Sequence, residues 1–127
     1  MASTAVLVQT IHAAADPTTS YTFSTAVDTD VGDQLSFEFV TAGTVVTSWQ
    51  WKVQYSVDNS VWADQLTEET SAGAVTQLVA VRSLPTAVGT YGADVPTGAW
   101  RYIRIALKRT GGDATSTVAI RVARKDT

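Results

Sequence analysis

Residues 48–62 read SWQWKVQYSVDNSVW, and the alternation within them decides the fold class. Trp49, Trp51, Val53, Tyr55 and Val57 alternate with Ser48, Gln50, Lys52, Gln54 and Ser56. A period of two belongs to a strand with one buried face, because successive side chains leave the pleated backbone on opposite sides. Asp58-Asn59-Ser60 then supplies a turn, since Asp and Asn bond to their own main chain and tolerate left-handed backbone. Val61-Trp62 begins the return. The best-marked feature is thus a hairpin that carries three of the four tryptophans. Trp49 and Trp51 share the apolar face and read as core, which leaves Trp62 and Trp100 as candidates for exposure.

Further strands follow on both sides of this hairpin. Residues 4–11 predict a first strand, with Val6 and Val8 on one face and Leu7, Gln9 and Ile11 on the other; residues 1–12 thus read as an N-terminal arm or an edge strand. Residues 13–20 form a loop broken by Asp16-Pro17. Residues 21–25 predict a short strand, 28–33 an acidic turn, and Leu35, Phe37 and Phe39 another half-buried strand. Residues 64–74 read as a polar loop. Val75, Gln77, Val79 and Val81 alternate again, and residues 83–99 read as the longest irregular stretch, with a short strand around Val88–Tyr91 as an interruption. Ile103, Ile105 and Leu107 define a strand, Thr110-Gly111-Gly112-Asp113 a hairpin turn, and Val118, Ile120 and Val122 its return. The expected core is Val6, Val8, Phe23, Leu35, Phe37, Phe39, Trp49, Trp51, Val53, Tyr55, Val79, Val81, Ile103, Ile105, Leu107, Val118, Ile120 and Val122. No segment has a 3.6-residue period. Some 8–9 short antiparallel strands with closely spaced turns predict an all-β chain: a single-domain β-sandwich, jelly-roll-like, over residues 1–127.

Composition narrows the function classes. The 127 residues include no cysteine, which removes disulfide, thiol and zinc–thiolate chemistry. No apolar run is long enough for a membrane helix. The first residues lack a basic, apolar signal pattern, so the expectation is either synthesis in the cytoplasm or a fragment of a longer chain. Net charge is -3, against a nucleic-acid binder. Seven of the nine basic residues nevertheless lie between Arg101 and Lys125, and ten of the twelve acidic residues at or before Asp94. Arg101, Arg104, Lys108, Arg109, Arg121 and Arg124 are expected on one basic C-terminal hairpin, beside Trp100 and Tyr102.

Nothing in the chain spells out a reaction. His12 is the only histidine and has no nucleophile motif beside it. Asp28, Asp30 and Asp33 form a DxDxxD run with oxygen ligands suited to calcium, but without the glycine and final glutamate of an EF-hand loop. A solvated acidic turn is the simpler expectation, with no metal or other cofactor. Gly111-Gly112 lacks the following Lys-Ser/Thr of a phosphate loop. The expectation is a binding or structural protein rather than an enzyme.

Two segments carry a resemblance. Residues 53–62, VQYSVDNSVW, resemble the YSxDGxxW hairpin of discoidin-like and related carbohydrate-binding sandwiches. Residues 100–105, WRYIRI, resemble their RYIRI strand. Both are core-strand signals, and they transfer no ligand-contacting loop. In a Thr-, Ala- and Val-rich chain without cysteine, they also resemble small virion proteins of tailed bacteriophages, whose closing RYIRI…TGG…TVxIxV segment residues 101–122 match. That resemblance implies a virion structural protein, foremost a capsid decoration or head-accessory protein. It would bind the major capsid protein or another virion protein and assemble as a homo-oligomer, with a trimer as the first expectation. The alternative is a carbohydrate-binding or tail-fibre adhesion module. The interface candidates are Val6, Val8, Val95, Pro96, Arg101, Arg104 and Arg121.

Overall fold

The computed structural model describes residues 6–29, 34–43, 49–95, 101–110 and 116–125. In chain order the strands are β1 (Val6–Ala15), β2 (Thr22–Phe23), β3 (Val27–Asp28), β4 (Gln34–Ala42), β5 (Trp49–Ser56), β6 (Ala63–Asp64), β7 (Thr67–Ser71), β8 (Ala74–Val79), β9 (Arg82–Leu84), β10 (Thr90–Val95), β11 (Tyr102–Arg109) and β12 (Thr117–Lys125). No helix occurs among the described residues, as the lack of 3.6-residue periodicity predicts.

One sheet runs β1-β12-β4-β10 and the other β2-β11-β5-β6, all antiparallel. β2 and β3 both lie along β11, as two pieces of one interrupted edge. β6 and β9 share β5 in the same way, interrupted by the β7-β8 hairpin. Taking each interrupted edge as one strand, and numbering the strand positions along the chain, the two sheets read 1-8-3-6 and 2-7-4-5. Consecutive strands thus cross between sheets, except positions 4 and 5, which pair within one sheet; this is the winding of a jelly roll.

Side chains take over where the ladder breaks. Between β2 and β3, Ser24 N–H donates to the Ile105 carbonyl (2.8 Å), and Ile105 N–H donates to Ser24 Oγ (2.9 Å). Ser24 is buried, so this hydroxyl satisfies an amide that would otherwise be stranded in the core. Thr25 N–H reaches the Ile11 carbonyl of β1 at 2.8 Å, joining the two sheets along that side.

The core fills the space between the sheets. Leu35, Phe37 and Phe39 from β4 and Val118, Ile120 and Val122 from β12 face Trp49, Trp51, Val53 and Tyr55 from β5 and Ile103, Ile105 and Leu107 from β11. Ile11, Val27 and Leu84 complete it. Phe39 and Trp51 meet across the layers with ring centroids 4.8 Å apart, tilted by 48°. Such tilted contacts suit the ring quadrupoles.

Several expectations need correction. Val8 (61% exposed), Phe23 (50%) and Val81 (44%) lie outside the core. In β1 the face that carries Ile11 is the inward one and the face of Val8 the outward one, the reverse of the expected core assignment; the pairing with β12 slips between Thr10 and His12 and again before Ala15. Residues 64–74 are no plain loop: they contain the last residue of β6, all of β7 and the turn into β8. The stretch 83–99 contains β10, an edge strand paired along β4 from Thr90 to Val95. Glycines 89 and 92 masked its alternation of inward Tyr91 and Ala93. β11 and β12 do not pair as a hairpin; they lie in opposite sheets. The predicted turn at 111–113 lies outside the described residues.

Candidate functional site

The outer surface of the second sheet carries a network of cations and aromatic rings. Along β11, Tyr102, Arg104, Ala106 and Lys108 alternate outward, opposite to the buried Ile103, Ile105 and Leu107. Gln50, Lys52 and Gln54 occupy the matching phase on β5. Ala106 is fully buried despite facing outward, and its cross-strand neighbours are Phe23 and Lys52.

Arg104 is held flat. Its guanidinium carbon lies 3.9 Å from the Phe23 ring centroid and 4.2 Å from that of Trp62. Its Nε donates to Gln54 Oε1 at 2.8 Å, and Gln54 Nε2 donates in turn to Asp64 Oδ1 at 2.9 Å. The other Asp64 oxygen takes Lys52 Nζ at 3.2 Å. Tyr21 is flanked by two ammonium groups, Lys52 and Lys108, each 4.7 Å from its centroid. Arg101 lies over Tyr102 at 5.4 Å and pairs with Asp28 at the end of the sheet. Burial lowers the pKa of Arg104, because desolvation penalises its charge. The Asp64 carboxyl is held below the usual carboxylate range, chiefly by the Gln54 hydrogen bond and less by Lys52.

The turn that leads here is built as its sequence predicts. Asn59 has φ 59°, and the Asp58 carboxylate accepts the amides of Ser60 (2.9 Å) and Val61 (3.0 Å). Those bonds, with the Val61 amide first, hold the Asp58 pKa down. The turn brings Trp62 back alongside β5, where it covers Arg104.

The outer surface of the first sheet is different. A shallow depression of about 340 Å³ lies over β1, β12, β4 and β10, lined by Val8, Ser36, Glu38, Gly92, Arg121 and Ala123 among others. Register places Val8, Ala123, Ser36 and Asp94 in one row and Thr10, Arg121, Glu38 and Gly92 in the next. Arg121 donates through Nε to Glu38 Oε1 at 2.8 Å. Ser36 Oγ donates to Asp94 Oδ1. Of the two rows across the central strands, one is made of the small Ala123 and Ser36 and the other of the Arg121–Glu38 pair.

The interface candidates therefore divide. Arg101 and Arg104 lie on one outer face, and Val8 and Arg121 on the other. The expectation of one basic hairpin fails because β11 and β12 belong to different sheets, and Arg109 pairs with Asp16. Val6 pairs with Lys125 at the end of β1, and Val95 with Leu35 at the end of β10. Pro96 and Trp100 lie outside the described residues, as do Asp30 and Asp33. Asp28, the remaining member of the acidic run, is paired with Arg101. Among the described residues no group of three or more His, Cys, Asp or Glu side chains is placed to hold a metal. His12 lies within β1 and donates from Nδ1 to the Val118 carbonyl (2.9 Å). Sequence reading missed Tyr21, Phe23 and Lys52 as one cluster; the signal was the shared outward phase of Lys52 and Gln54 on β5 with Arg104 and Lys108 on β11.

The fold and these faces define a jelly-roll domain with two open outer surfaces. No family model matches the chain, and no curated protein does. Among solved structures it is similar to the SPBc2 prophage-derived protein YomS, with a TM-score of 0.57 and 15% identity over 99% of this chain and 97% of that one. At that identity the likeness is one of fold.

Proposed function

We propose that the chain is a bacteriophage virion structural protein, a capsid decoration or head-accessory protein that binds the assembled shell as a homo-oligomer and catalyses no reaction. The observation that carries this reading is the full-length likeness of its jelly roll to a prophage-derived protein, with almost nothing of either chain left over. Jelly rolls recur in viral capsid proteins, but also in lectin domains and cupins, so the fold alone does not choose among them. The RYIRI-type strand at residues 101–105 adds the phage resemblance.

The shallow face over β1, β12, β4 and β10 is the surface that docks on the shell. Its row of small residues allows close approach, and Arg121 and Glu38 already neutralise each other there. A subunit that binds only the assembled shell stabilises it by mass action.

Co-sedimentation of the purified chain with phage heads that lack it tests the reading. The expected result is saturable binding and a higher temperature of head rupture. A chain that stays in the supernatant at every concentration would overturn it.

A second reading, an adhesion module for carbohydrate, has one observation in its favour: Phe23 is half exposed on the same face as Trp62. Aromatic faces of this kind stack on sugar rings. Tryptophan fluorescence across a glycan panel checks it, and no shift with any glycan would exclude it.

A further inference from the structure

The β7-β8 hairpin stands apart. Its strands pair with each other from Thr67–Val79 to Ser71–Ala74, and among the described residues its backbone has no comparable contact with either sheet. The tip residues Ala72 and Gly73 both have positive φ, at 53° and 81°, which makes a tight two-residue turn. Ala72, Gly73, Ala74, Val75 and Gln77 are all exposed. A lone two-stranded hairpin is marginal in water unless something covers it. A five-residue strand reaches about 16 Å, so this one is long enough to touch a neighbour.

Charge indicates what the hairpin meets. Residues 65–81, QLTEETSAGAVTQLVAV, hold Glu68 and Glu69 and no Lys, Arg or His. The outer face of the second sheet has the opposite balance: Arg101 is matched by Asp28, and Lys52, Arg104 and Lys108 stand against the carboxylate of Asp64. Among the described residues, Arg104 spends only its Nε, on Gln54, and Lys108 touches only the Tyr21 ring. With Phe23 and Trp62 stacked on the Arg104 guanidinium, its in-plane Nη edge is what remains to bind. A planar fork fixed in this way matches a carboxylate in bidentate geometry.

We infer that the acidic β7-β8 hairpin of one copy docks on the Arg104–Lys108 face of a second copy. The contact joins two different surfaces, so it is heterologous and propagates head to tail until a ring closes. It deepens the proposal of a homo-oligomeric virion subunit by naming the surfaces. Self-association is measured without heads, so its outcome is independent of whether the chain binds a shell.

Light scattering after size exclusion tests the contact on the full chain. At low salt the expected mass is a multiple of the 13.5 kDa chain, and it falls toward one chain as salt screens the pairing. Reversing the hairpin (Glu68→Lys with Glu69→Lys) or the face (Arg104→Glu with Lys108→Glu) should each yield monomer. All four changes in one chain should restore the wild-type mass. A wild-type monomer at low salt, a mass indifferent to salt, or a single-surface reversal that keeps the wild-type mass would each overturn the inference. The salt arm needs no variant, so a misfolded mutant does not remove the test.

Discussion

Arg109, at the end of β11, clasps Asp16 in the loop after β1: Nε lies 2.8 Å from Oδ1 and an Nη 3.3 Å from Oδ2. Asp16 Oδ1 also accepts the Thr18 amide at 3.0 Å, and the Arg109 amide donates to the Thr18 carbonyl at 2.9 Å. The side chains are only 12% and 18% exposed, so the pair sits largely out of water. It fixes the crossing from one sheet to the other.

Asp16→Ala should therefore cost about 2 kcal/mol, because it takes a carboxylate away from a largely shielded guanidinium. Urea unfolding gives the value from the midpoint at unchanged slope. A loss below about 1 kcal/mol, the range of exposed pairs, would contradict the role.

Much of the fold was legible because core alternation is strong in β4, β5, β11 and β12. In each, three or four alternating residues are apolar and buried. The edges were harder to read. β10 carries Tyr91 and Ala93 inward but is punctuated by glycine, and an edge strand needs fewer apolar residues to hold its place. In β1 both faces carry apolar residues, so alternation alone did not say whether Val8 or Ile11 would turn inward. The basic residues could be counted but not assigned to faces, because a turn between strands does not reveal whether they pair or change sheets. Arg104 was picked out in advance; its clamp of Phe23 and Trp62 was not, since those residues lie 81 and 42 positions away in sequence.

Ala72 holds a left-handed conformation (φ 53°), which costs an alanine roughly 1–2 kcal/mol relative to glycine. Ala72→Gly should slow amide exchange in β7 and β8 while the global unfolding midpoint stays nearly fixed, since among the described residues the hairpin's backbone has little contact with the sheets. Gly73→Ala should act the other way: φ is 81°, although a Cβ there would meet open space. Faster exchange in Ala72→Gly than in wild type would contradict the turn geometry.

Asp58 and Asp64 both have folded pKa values below their unfolded ones, Asp58 through backbone amides and Asp64 through Gln54. Their contribution to stability is thus complete above the ordinary aspartate range and is lost as pH falls through the folded values. Carboxyl-carbon NMR should place both midpoints below that of an unfolded aspartate, and unfolding midpoints should drop over the same interval. A midpoint at or above the unfolded value for either residue would contradict the hydrogen bonding.

Gly92 faces the depression on the first sheet, and a Cβ there would approach only the Phe37 carbonyl, at 4.0 Å. Gly92→Arg should fold normally and weaken attachment to heads by at least tenfold, about 1.4 kcal/mol. The same change in a protein that docks through its other face would leave head binding intact, and co-sedimentation separates the two outcomes.

The most direct measurement is electron cryomicroscopy, with peptide mass spectrometry, of particles made by the genome that encodes the chain. The account predicts the chain in purified particles at a fixed copy number, with jelly-roll density on the outside of the shell and the β1-β12-β4-β10 face toward it. Particles that lack the chain, with the protein confined to the soluble lysate, would contradict it.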